Sequence, residues 1–175
     1  MTEFSTSAEA QVEVFSTYIK QKIIFSYFDP DLTYSRIREA LDQGDTSETD
    51  QITANMQRFL DEDKIWANGK LITLNIENVE VTLSTADLEH PKLVFEIESS
   101  TFLKKVGENR IELQGSEQKA TYPISAQWTF PQTGRILGVL SRTRHKISGN
   151  KLTFNTARGE FIGGHEIIRY FINPE

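Results

Sequence analysis

The sequence predicts an α+β fold: a helical N-terminal unit joined to an antiparallel β-sandwich or barrel. Three observations predict it. Apolar residues recur at spacings of three and four before residue 60, and at spacings of two after residue 71. Turn-forming residues punctuate the second stretch at short intervals. Charge divides along the same line: residues 1–70 hold 13 Asp/Glu and 7 Lys/Arg, whereas residues 71–175 hold 12 of each. The change of period divides the chain into an acidic helical unit with a hairpin over 1–74 and a β domain over 75–175.

The first helix is expected from Ser7 to Tyr27, because Val12, Phe15, Ile19 and Ile23 share one helical face. Asp29-Pro30-Asp31 would stop it, since proline disfavours helical geometry in the residue before it. A second helix is expected from Tyr34 to Gln43, with Thr33 as N-cap, Ile37, Ala40 and Leu41 inward, and Gly44 as the left-handed residue at its end. A third is expected from Ser47 to Leu60. Asp50 lies three residues after Ser47, and Ile52, Met56, Phe59 and Leu60 fall on one face.

Asn68-Gly69, between Ile65-Trp66 and Leu71-Ile72, reads as a hairpin turn, because both turn residues need positive φ. Seven strands are then expected: Val79–Leu83, Leu93–Ile97, Ile111–Leu113, Tyr122–Phe130, Arg135–Leu140, Lys151–Phe154 and Glu166–Ile172. With no helical stretch between them, a parallel α/β sheet is not expected.

Three helices and a hairpin, in that order, resemble a winged helix. Thr33 to Leu41 resembles its second helix, Ser47 to Leu60 its third, and Ile65 to Ile72 its wing. The resemblance implies that the third helix enters a DNA major groove. Charge opposes that, because affinity for duplex DNA comes largely from Lys and Arg. Glu48, Asp50, Asp61, Glu62 and Asp63 accompany a single base, Arg58. Those five acids are instead expected to form a face that docks a protein partner or a second copy.

Enzymatic chemistry finds little support. Without cysteine there is no thiolate nucleophile, no thiolate metal site and no disulfide. There is no Gly-x-Ser-x-Gly elbow and no phosphate-binding loop. His90, His145 and His165 lack metal-ligand spacing. His165-Glu166 beside Gly163-Gly164 reads as a turn entering the last strand. The pairs Asp29/Asp31, Asp61/Asp63 and Glu96/Glu98 read as solvated carboxylates, with Glu96 and Glu98 opposite Phe95 and Ile97 on a strand. No catalytic, cofactor or metal residue is assigned, and no cofactor is implied.

The concentrated positive feature is Arg142, Arg144 and Lys146, with Lys151 nearby. With Trp128, Phe130 and Phe154 in neighbouring strands, it suggests an anion or single-stranded nucleic-acid contact. Alternatively, the aromatics are buried beneath a charged hairpin. A β-barrel lined by the eleven Phe, five Tyr and two Trp would offer a small-molecule pocket. The N-terminus lacks the basic start and apolar run of a signal peptide, and no apolar run is long enough to span a bilayer. The expectation is a soluble, cytoplasmic, non-enzymatic interaction or adaptor module, with nucleic-acid or small-molecule binding as the alternatives.

Overall fold

The computed structural model describes residues 4–103 and 105–174. Strands β1 (Phe4–Val14) and β2 (Ile19–Phe28) pair as an antiparallel hairpin. This overturns the predicted first helix, and with it the three-helix unit. The physical reason is alternation: Ala8, Val12 and Val14 are buried while Glu9, Gln11 and Glu13 face solvent. β-branched side chains suit that pleated geometry. The turn contains Phe15-Ser16-Thr17-Tyr18, closed by a 2.9 Å bond from Phe15 N–H to the Tyr18 carbonyl and by stacked rings 4.6 Å apart.

Two helices follow, α1 (Thr33–Asp42) and α2 (Ser47–Glu62). Thr33 does not cap α1. The fully buried Asp29 reaches forward instead, its Oδ2 accepting the Tyr34 N–H at 2.8 Å. Asp29-Pro30-Asp31 therefore ends a strand and starts a helix. Gly44 ends α1 as expected, with φ 84° and its N–H on the Leu41 carbonyl at 2.9 Å.

The remaining strands are β3 (Lys64–Ala67), β4 (Lys70–Ile72), β5 (Leu74–Ser84), β6 (Asp87–Ser99), β7 (Gly107–Gln114), β8 (Gln118–Lys119) and β9 (Ile124–Thr129). After these come β10 (Gly134–Leu140), β11 (His145–Ser148), β12 (Lys151–Thr156), β13 (Phe161–Ile162) and β14 (His165–Ile172). A seven-stranded sheet runs β11-β12-β9-β1-β2-β6-β5, a five-stranded sheet runs β10-β14-β7-β3-β4, and β13 pairs with β8. Strands from both sides of residue 74 share the two larger sheets. All pairings are antiparallel except β1 with β9, which is parallel.

One face of the seven-stranded sheet is covered in two ways. Over β12, β9 and β1 it packs on the five-stranded sheet, burying Trp128, Phe130, Leu152, Ile111, Ile168 and Tyr170 in a sandwich core. Over β2, β6 and β5 it packs on the helices, where Tyr34, Ile37, Met56 and Leu60 meet Val81, Leu93, Phe95 and Ile97. Burying one such aliphatic or aromatic side chain contributes about 1.5–3 kcal/mol. Glu96 and Glu98 alternate with buried Phe95 and Ile97, as the strand pattern requires.

The winged-helix arrangement is absent. The Asn68-Gly69 hairpin does form, with φ 51° and 82° at its turn. It is no free wing, because β3 pairs with β7 and Asn68 is tied to that strand. The Asn68 amide bonds Asn109 Oδ1 at 2.8 Å, and Asn68 Oδ1 accepts the Arg110 N–H at 2.9 Å. Among the described residues, no helix is long and apolar enough to cross a membrane.

Candidate functional site

The four acids of helix α2 are all exposed, on the side away from its buried Thr49, Met56 and Leu60. Glu48 and Asp50 lie in its first turn, and Asp61 and Glu62 in its last, roughly 20 Å away along the axis. At about 100° per residue, Asp50 and Asp61 fall on one flank and Glu48 and Glu62 on the other. Gln51 and Arg58 lie between them, both bonded to Asn55 Oδ1 on the Glu48/Glu62 flank, at 3.1 Å and 2.6 Å. Arg58 thus stands in the middle of the expected acidic face. Asp63, just past the helix, has its carboxyl raised above the usual value by burial and then by neighbouring Glu62.

The four basic residues divide into two kinds. Arg142 bonds Glu117 at 3.0 Å and Arg144 bonds Glu160 at 3.1 Å. Both pairs are solvated and worth little to stability. Backbone Ala157 N–H, then Arg144, holds the Glu160 carboxyl below its usual value. Lys146 and Lys151 make no ion pair among the described residues, and the register of β11 and β12 puts Lys146 opposite Thr153 and Lys151 opposite Ser148. Trp128, Phe130 and Phe154 are not interleaved with these cations. They are buried in the sandwich core.

The outer face of the five-stranded sheet has no local marker in the sequence. Cross-strand register aligns Leu140, Ile167, Glu112, Trp66 and Leu71 in one row across all five strands. Leu140 is 61% exposed and Leu71 52%. Glu112, in mid-row, is gripped by His165 Nε2 at 2.6 Å and by Arg110 at 2.9 Å. The His165 bond, with Arg110 assisting, holds its carboxyl below the usual range. His165 therefore faces outward, on the opposite side of β14 from Glu166.

The four outer edges of the two larger sheets differ more than the faces do. Edge strands tend to be protected by shortness, charge, bulges or cover. β4 has three residues, and β11 has four, including His145 and Lys146. β5 is long, at eleven residues, but it carries Glu77 and Glu80 and two register breaks. Helix side chains also close it. Gln57 donates to the Leu74 carbonyl at 2.8 Å and accepts the Ile76 N–H at 3.1 Å, and Arg38 reaches the Val81 carbonyl at 3.2 Å. β10 has seven residues, Gly-Arg-Ile-Leu-Gly-Val-Leu, with no charge after Arg135, and a single register break between Ile136 and Gly138. Among the described residues nothing bonds its outer side.

The stretch of sequence around β10 is basic, although Glu117 and Glu160 from outside it pair with Arg142 and Arg144. Residues 118–159 contain seven Lys/Arg and no Asp or Glu. Such an acid-free run was visible in the sequence, but its bearing on an edge required the strand order.

No family model matches the chain, and no curated protein does. Among solved structures, a chain of yeast LTA4 hydrolase in complex with bestatin aligns with 95% of this chain at 8% identity and a TM-score of 0.42. The chain spans 28% of that protein's length, and a likeness this low transfers neither fold nor chemistry.

Proposed function

We propose that this chain is a non-enzymatic protein-interaction module that accepts an extended, acidic segment of a partner protein along strand β10. The observation that carries the reading is the apolar edge of β10, whose outer side no described residue bonds, within an acid-free, basic stretch of the sequence. Strand addition supplies main-chain hydrogen bonds, and alternate side chains supply specificity. The exposed row from Leu140 to Leu71 extends the contact inward from that edge. Charge selects the occupant: Arg135, the one charge on β10, attracts an acidic strand.

The test is a titration with a labelled peptide of alternating valine and glutamate, at low and moderate salt. Binding is expected to weaken as salt rises. Gly138→Glu places a like charge on the edge, and a Cβ there meets only an Arg169 guanidinium nitrogen at 3.9 Å, so the fold tolerates it. That variant is expected to lose at least roughly tenfold in affinity. Binding that survives it unchanged, or a valine–lysine peptide that binds as well, contradicts the reading. So does edge-to-edge dimerisation of the protein alone in sedimentation.

A further inference from the structure

The sandwich core is not filled everywhere. In the parallel β1–β9 pair, Ala10 lies opposite Ala126, and the neighbouring pair is Val12 with Trp128. Two alanines side by side leave a hollow where larger side chains would fill the layer. A cavity of about 170 Å³ opens above them. The mini-sheet contributes Ile162 to its lining, and the first inward residue of β14 contributes Glu166.

The chemistry of that lining is one-sided. Among the described residues Glu166 is the sole charged one in it, and no Lys, Arg or His borders the cavity. The carboxylate is half-buried and accepts a 2.5 Å hydrogen bond from Ser141 Oγ. Among the described residues no cation pairs with it. A half-buried carboxylate is stabilised by a positive partner. Trp128 and Phe154 are the aromatic members of the lining, and an aromatic ring can attract a cation. Gln21 and Thr143 add neutral hydrogen-bonding groups.

From this juxtaposition we infer that the cavity is a binding site for a small organic cation, an alkylated ammonium whose charge meets Glu166 and whose methyl groups meet the aromatic rings. Its size, below the ~300–1,000 Å³ of pockets that hold drug-sized molecules, restricts it to a ligand of a few heavy atoms. The site is independent of the β10 edge. It shares no residue with that strand and serves a different class of ligand.

The experiment titrates the full chain with tetramethylammonium and follows the Trp128 indole N–H and the Ala10 and Ala126 methyl signals by NMR. Saturable shifts are expected in the ~1 mM range, with tert-butanol and acetate giving none. Glu166→Gln is expected to weaken binding at least roughly tenfold while keeping the hydrogen bond to Ser141. Ala126→Leu fills the hollow without touching the charge and is expected to abolish binding, so it serves if the first variant does not fold. Absence of saturable shifts in the unmodified chain overturns the inference. So does equal binding of tert-butanol, or unchanged binding by whichever variant folds.

Discussion

The two ends of the seven-stranded sheet solve the same problem differently. At the β5 end, two helices cover the apolar face, and their side chains also cap the free strand edge. At the β12 end, a second sheet covers the face but brings an edge of its own, β10, and leaves a hollow over Ala10 and Ala126. A helix carries its backbone hydrogen bonds internally and adds no edge. A covering sheet buries more but must dispose of its outermost strands. The helix-covered end is therefore closed, and the sheet-covered end keeps an apolar strand edge that no described residue bonds.

That contrast can be broken from either side. The largest effect is expected in the sandwich core. Phe130→Ala, at a residue 2% exposed between Trp128 and Tyr170, is expected to cost about 3–5 kcal/mol in denaturant unfolding. A cost under 1 kcal/mol would mean that the two sheets do not share a core.

Next is the guard at the closed end. Gln57→Ala removes both amide bonds to β5 and is expected to cost about 1–3 kcal/mol. It should also raise self-association in sedimentation by exposing a second long edge. A variant as monomeric and stable as the parent would show that Gln57 is incidental.

The smallest effect is one of pH. Burial pushes the Tyr170 phenol up to about 12 from a usual value near 10. A group whose folded pKa is raised contributes stability that is complete below the unfolded pKa and is lost as pH rises through the folded one. Alkaline destabilisation between about pH 10 and 12 should therefore be shallower in Tyr170→Phe than in the parent. At the acid end, the lowered Glu112 carboxyl gives the opposite sign. Its contribution holds above the usual glutamate value and falls away as pH drops through the folded one, and Glu112→Gln should flatten that limb.

Local chemistry was readable in the sequence where it was sufficient. Asn68-Gly69 announces its turn because both residues tolerate positive φ, and Gly44 announces a helix end for the same reason. α2 was placed to within a few residues. The β1–β2 hairpin was hidden because its turn, Phe15 to Tyr18, contains no Gly, Pro or Asn. Moreover, Val12, Phe15, Ile19 and Ile23 mimic a helical stripe while three of them face the same side of a sheet from two strands. The grip of Gln57 on β5 and the parallel pairing of β1 with β9 are tertiary facts with no local signature. Most of the candidate site shares that fate, since β10 is identifiable as a strand but not as an edge. Glu166 stands beside Gly163-Gly164 in the sequence, yet only the register of β14 separates its inward carboxylate from the outward His165.

The most direct measurement is amide hydrogen exchange with and without the valine–glutamate peptide. The expected result is new protection along Arg135 to Leu140, with α2 unchanged. Protection confined to α2 and its flanks, or none along β10 under saturating peptide, would contradict the assignment of β10 as the docking edge.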